Sequence, residues 1–187
     1  MNKIIIISAP SGSGKSTLIG KLMQDKSLKL EFSISATTRA PRGQEVDGKD
    51  YHFLSVEEFE KRIAENGFVE YEQVYEGRYY GTLKSEIDRI FQNGNNVIFD
   101  VDVEGGINLK KIFGEQALSI FIQPPSVTEL RKRLLGRATD SMEEIEKRLA
   151  KAEQELSRAK YFDTIVINDD LERAAADFSH KVTNFLN

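Results

Sequence analysis

The chain is 187 residues long, carries 26 Lys+Arg against 30 Asp+Glu for a net charge of -4, and contains no cysteine. This mildly acidic balance excludes a general nucleic-acid binder, which needs a basic excess or stripe. The lack of cysteine excludes disulfides and thiolate metal sites and fits a reducing, cytoplasmic setting. The length suits one domain, or one core with insertions, and nothing approaches a signal peptide or the ~20 apolar residues of a spanning helix, so no membrane partner is expected.

In chain order, residues 4–7 are four isoleucines, the pattern of a strand buried on both faces in a parallel sheet. Ala9, Pro10, Ser11, Gly12, Ser13, Gly14, Lys15, Ser16 and Thr17 follow, opening a helix expected over 15–25. Glycines allow a tight turn that aims backbone N–H groups at phosphate oxygens, and the new helix adds its positive end there. Lys15 can reach the outer phosphates of a nucleotide and the Ser16 hydroxyl can hold Mg²⁺. This is a P-loop whose first position is Ala9 instead of the usual glycine. A Gly/Ser-rich turn that binds nothing is the bland alternative, and the order strand, loop, Lys-Ser, helix argues against it.

Residues 30–36 alternate apolar and polar and read as one strand. Residues 37–45 are polar, with Arg39 and Arg42 three apart, and Asp47-Gly48 is a hairpin-type turn signal. A short strand is expected over 51–54. Ser55 and Glu58 form a capping box that opens a helix closed by Asn66-Gly67. Residues 68–75 alternate again, with Glu70 and Glu72 on one face, and residues 79–82 lead into a helix over 83–92. The section from 34 to 82 thus looks like an insertion between core units.

The core pattern resumes with an apolar strand over 95–101 bearing Asp100 at its end and Asp102 just beyond. A helix follows Gly105-Gly106, then a strand over 117–122. Two more capping boxes, at Ser126 and Ser141, open helices carrying Arg133 with Arg137, and Arg148. A final strand spans 162–168 and a final helix 171–185. Strands alternating with helices predict an α/β fold with a parallel sheet, whose ligands gather at the carboxyl ends of the strands. Asp100 stands where a P-loop protein places a Mg²⁺ or water-positioning carboxylate, although a lone strand-end Asp is weak by itself. Arginines beyond residue 130 can neutralise charge on a transferring phosphoryl group, or simply form a solvated helix face. Arg39, Arg42, Tyr51 and Tyr80 can jointly hold a phosphate. Glu70, an acceptor-only carboxylate, can take adjacent N–H donors of a guanine edge, with Ser35 and Thr82 close in the same segment. Composition alone leaves these as surface polar residues.

The combination SATTRAPRGQEVDGKDYHF at 35–53, FVEY and YYGT within 68–82, DVDVEGG at 100–106 and the P-loop at 8–17 resembles the guanylate kinase family over essentially the whole chain. The resemblance implies a P-loop NTPase three-layer core with a parallel sheet, a mixed α+β GMP-binding insertion and a helical lid. It implies a core of 1–33, 83–125 and 160–187, a GMP-binding region of 34–82 and a lid of 126–159. It implies transfer of the ATP γ-phosphoryl to GMP with Mg²⁺, for purine nucleotide metabolism, by a monomer or homodimer. Ser35, Glu70 and Asp102 would meet the guanine with Thr82 nearby, and Arg39, Arg42, Tyr51 and Tyr80 the GMP phosphate. Arg133, Arg137 and Arg148 would close over the transferring group, with Asn168 near the adenine. A guanylate-kinase-like protein-binding module without catalysis is the alternative. Such modules tend to lose P-loop and lid residues, which this chain keeps. A related kinase for another acceptor is a third reading, and Glu70 speaks against it.

Overall fold

Four consecutive isoleucines can only satisfy a strand covered on both sides, and β1 (Ile4–Ser8) is buried at every position. The computed structural model describes residues 2–136 and 142–187. β1 lies in the middle of a five-stranded sheet in the order β2 (Leu30–Phe32), β7 (Asn96–Asp100), β1, β8 (Ala117–Gln123), β9 (Thr164–Ile167). β1 pairs with β8 and β8 with β9, both parallel.

Strand side chains alternate between faces, and the packing follows that period. Ile5, Ile7, Ile120 and Ile122 pack with Leu18 and Ile19 of α1 (Lys15–Leu22) and with Phe178 and Val182 of α7 (Leu171–Leu186). Phe121 points the other way, to Val103 and Ile107 of α4 (Val103–Phe113) and to Phe162. Helices therefore cover both faces, giving the three layers expected of the core. A further cluster joins Leu130 and Leu134 of α5 (Val127–Leu135) to Ile145 and Leu149 of α6 (Met142–Ser157). Ser126 caps α5 as expected, its side chain accepting from the Glu129 N–H. The expected capping box at Ser141 and the expected lid residue Arg137 lie outside the described residues.

The chain divides into two compact units, one of Lys3–Leu30 and Ile98–Asn187, the other of Asn2 and Glu31–Val97. The second unit holds a mixed four-stranded sheet in the order β4 (His52–Phe53), β3 (Ala36–Thr37), β6 (Arg78–Leu83), β5 (Phe68–Tyr75), with α2 (Val56–Ala64) and α3 (Lys84–Gln92). Its core is small. Phe59, with none of its surface exposed, stacks on Phe68 at 4.2 Å and on Tyr79 at 5.0 Å between ring centroids.

Three sequence expectations need correction here. The single strand over 30–36 is two strands in two different sheets. Between them the Ile34 N–H leaves the ladder and donates to the buried Glu86 carboxylate at 3.2 Å. Asp47-Gly48 does turn the chain, but β4 pairs parallel to β3, so the turn closes a crossover loop and not a hairpin. Residues 79–82 do lead into a helix, α3, but they are themselves strand. They belong to β6, which is antiparallel to β5 across a turn at Gly77. Gly81 permits that pairing, because a Cβ there would meet the Glu70 carbonyl at 2.8 Å and Phe68 at 2.9 Å.

Candidate active site

In the first unit the loop between β1 and α1 turns through two left-handed glycines, Gly12 at φ 86° and Gly14 at φ 85°. A side chain at Gly14 is excluded twice over, since its Cβ would also fall 2.2 Å from the Asn168 amide nitrogen. Asn168 is buried and its Nδ2 donates to the Ser13 carbonyl at 2.8 Å, so the residue after β9 braces the loop from below. The Ser13 hydroxyl is buried with no hydrogen-bond partner.

The loop lines a cavity of about 460 Å³ together with Asp100, Val101, Asp102, Arg148, Lys151 and Glu155. Lys15 is ion-paired to Asp100, which joins two residues that the sequence had separately assigned to phosphate and metal. Asp102 caps α4, accepting from the Gly105 N–H at 2.7 Å. Its neighbourhood is fixed by Ser8, whose hydroxyl donates to the Asp102 carbonyl. Ser16 sits on the cavity wall at the first turn of α1. Ser16 and Asp100 are hard oxygen donors, and no cluster of three or more His, Cys, Asp or Glu that could hold a metal occurs among the described residues. Such a donor set suits Mg²⁺ carried mainly by phosphate oxygens and water.

Lys151 and Glu155 are cavity residues that sequence reasoning missed. A signal existed, because 148, 151 and 155 follow one helix face. Burial pushes the Glu155 carboxyl above its ordinary value, Asp102 adds to this, and Lys151 and Lys15 oppose it. Arg133 does not line the cavity. Its guanidinium donates to the Asn168 carbonyl at 2.9 Å and to Glu129 at 3.2 Å, so it grips the brace of the P-loop.

In the second unit the antiparallel register sets Glu70 opposite Thr82 and Glu72 opposite Tyr80, so these four share a sheet face. The Thr82 hydroxyl, itself buried, donates to Glu70 Oε1 at 2.7 Å and holds that carboxylate in place. Tyr51 meets Tyr80 edge-on at 6.1 Å, and the Arg39 guanidinium lies 4.8 Å from the Tyr51 ring. Arg39, Tyr51 and Tyr80 are thus brought together. Arg42 is exposed at the edge of the same loop. Ser35 is half-buried between β2 and β3, its carbonyl accepting from the His52 N–H.

Residues 1–184 match the family model described as guanylate kinase. The chain belongs to the guanylate kinase family. A guanylate kinase of Bacteroides fragilis is 59% identical over 184 residues, covering 98% of this chain and 90% of its own. One of Porphyromonas gingivalis is 56% identical over 186 residues, covering 100% and 99%. Among solved structures, a guanylate kinase from Anaplasma phagocytophilum superimposes with a TM-score of 0.69 at 30% identity, covering 98% of this chain and 85% of its own.

Proposed function

We infer that this protein is an ATP-dependent nucleoside monophosphate kinase that converts ATP and GMP to ADP and GDP. The observation that carries the reading is the intact P-loop, with Lys15 and Arg148 on one cavity, in a chain of this family. A protein-binding module would have no use for that cavity.

ATP enters with Mg²⁺ as a co-substrate complex. Backbone N–H groups of residues 11–17 and Lys15 take its phosphates; Ser16 and Asp100, both on the cavity wall, would hold the ion, which would supply charge withdrawal from the phosphate oxygens. Asp100 pairs with Lys15 until the triphosphate supplies a stronger partner. Arg39, Arg42, Tyr51 and Tyr80 take the GMP phosphate. Glu70, Ser35 and Asp102 read the guanine edge, with Thr82 as the positioning residue for Glu70. A GMP phosphate oxygen attacks the γ-phosphorus in line, so no protein nucleophile is required and catalysis is positioning and charge neutralisation. Arg148, Arg137 and Arg133 belong to a lid of residues 126–159, with 34–82 as the acceptor region. Arg148, which lines the cavity, would act directly, and Arg133, which donates to the Asn168 carbonyl, would act through Asn168 and the loop that it braces. Closure over both substrates would keep water from the γ-phosphoryl. The setting is the cytoplasm, in keeping with the absence of cysteine.

The test is an acceptor panel of GMP, dGMP, AMP, dTMP, CMP and UMP with Mg·ATP, reading ADP release. GMP is expected to be the best acceptor and AMP a poor one, because adenine lacks the paired N–H donors that a carboxylate accepts. Equal rates with GMP and AMP would remove Glu70 from its role.

A further inference from the structure

Glu45 has no part in the reaction as assigned above, yet it is the most heavily engaged carboxylate around the acceptor-phosphate residues. Arg39 donates to it through both terminal nitrogens, Nη1 to Oε2 at 2.6 Å and Nη2 to Oε1 at 2.7 Å. The Arg42 backbone N–H donates to Oε2 at 2.7 Å. The pair is largely enclosed, with 6% of the Arg39 side chain exposed and 25% of Glu45. Phe53 packs at 5.6 Å on the same guanidinium that lies over Tyr51. Arg39 thus has its plane fixed by rings and its end fixed by a carboxylate.

The count of donors decides what this arrangement does. A guanidinium has five N–H bonds. The Ala40 carbonyl takes one from Nη1 at 3.0 Å and Glu45 takes one from each terminal nitrogen. Those bonds leave the side edge, Nε and the second Nη2 hydrogen, as a parallel pair that matches two oxygens of a phosphate. The Tyr80 hydroxyl is a further side-chain partner of the same group, so on that edge it is the contact a phosphate would share or displace. A phosphate therefore does not need to evict Glu45, and evicting it would strand a carboxylate in a semi-enclosed site.

We propose that Glu45 is a positioning residue for the acceptor's phosphate. It clamps Arg39 end-on and tethers the backbone of Arg42, so that the side edge of Arg39 is presented to the phosphate already aligned. The inference rests on the acceptor reading of Arg39 given under Proposed function.

Binding of GMP and of guanosine to the wild type, Glu45→Gln, Glu45→Ala, Arg39→Ala and the Arg39→Ala/Glu45→Ala double variant tests it, alongside KM for both substrates. GMP affinity is expected to fall by about 10- to 100-fold in Glu45→Ala, the scale of a misaligned binding group, and by less in Glu45→Gln. Guanosine affinity and KM for ATP are expected to stay unchanged. In the Arg39→Ala background the Glu45 substitution is expected to add almost nothing, because its effect runs through the lost arginine. Tighter GMP binding in Glu45→Ala would mean that Glu45 competes with the phosphate and would overturn the proposal. So would equal losses for GMP and guanosine, or additive losses in the double variant. A wild type that releases no ADP with GMP defeats the acceptor reading itself, whereas normal GMP use with an indifferent Glu45→Ala defeats only the role of Glu45.

Discussion

The two polar clusters are built by different means. Around the P-loop the donors are mostly backbone, and the glycines, the helix start and Asn168 fix them without any long side chain. In the second unit the donors are side chains, and each is held by another. Thr82 holds Glu70, while Glu45 and the aromatic rings hold Arg39. The supporting cores differ in the same sense. The first unit has continuous apolar strands buried on both faces, whereas the second leans on a few residues around Phe59. A backbone site tolerates loss of most single side chains; a side-chain site depends on each supporting contact.

Lys15→Ala is expected to show the largest effect, because Lys15 is the one long cation on the loop itself. Turnover should fall by roughly 10³-fold or more, as for other groups that neutralise transferring phosphate, while the thermal midpoint and far-UV circular dichroism stay near wild type. Phe59→Ala comes next. Truncating a fully buried aromatic costs about 3–5 kcal/mol, and chemical denaturation should report it. GMP affinity should suffer with it while ATP affinity persists. Persistence of both affinities would show that the second cluster does not depend on its small core.

Glu70→Gln should raise KM for GMP by about 10²-fold, since one acceptor becomes a donor against the guanine edge, with KM for ATP little changed. Thr82→Val keeps the shape and deletes one hydrogen bond to a charged group, so a rise of about tenfold in KM for GMP is expected. A Thr82 effect as large as that of Glu70 would mean that Thr82 touches the base itself.

The smallest effect is expected from acid. The Arg39 hydrogen bonds, then the Arg42 N–H, hold the Glu45 carboxyl down from its ordinary 4.5 to about 2. A depressed carboxyl lends stability that is fully present above the ordinary value and is lost as pH falls through the folded one. GMP binding should therefore owe no change to Glu45 between pH 8 and 5. Proton uptake by this group on unfolding should appear only between about 4.5 and about 2, and potentiometric titration of folded and unfolded protein measures it.

What could be read from the chain beforehand follows the same division. The isoleucine run and the P-loop are local signals, and strand, turn and helix stand where the pattern put them. The 30–36 strand went wrong because a distant carboxylate, Glu86, captures the Ile34 N–H, and no local period reports that. β6 was hidden because Glu76-Gly77 is a weak turn signal and the tyrosines that follow carry no alternation of polarity. Lys151 and Glu155 were readable from helical spacing with Arg148. Glu45 was not, because its importance lies in which edge of Arg39 it occupies.

The most direct test of a division into a backbone-built ATP site and a side-chain-built GMP site is equilibrium binding of each nucleotide, separately, to Lys15→Ala and Glu70→Gln by calorimetry. The expected result is a crossed pattern, in which Lys15→Ala loses ATP affinity and keeps that for GMP, and Glu70→Gln does the reverse. Loss of the same nucleotide in both variants would contradict it.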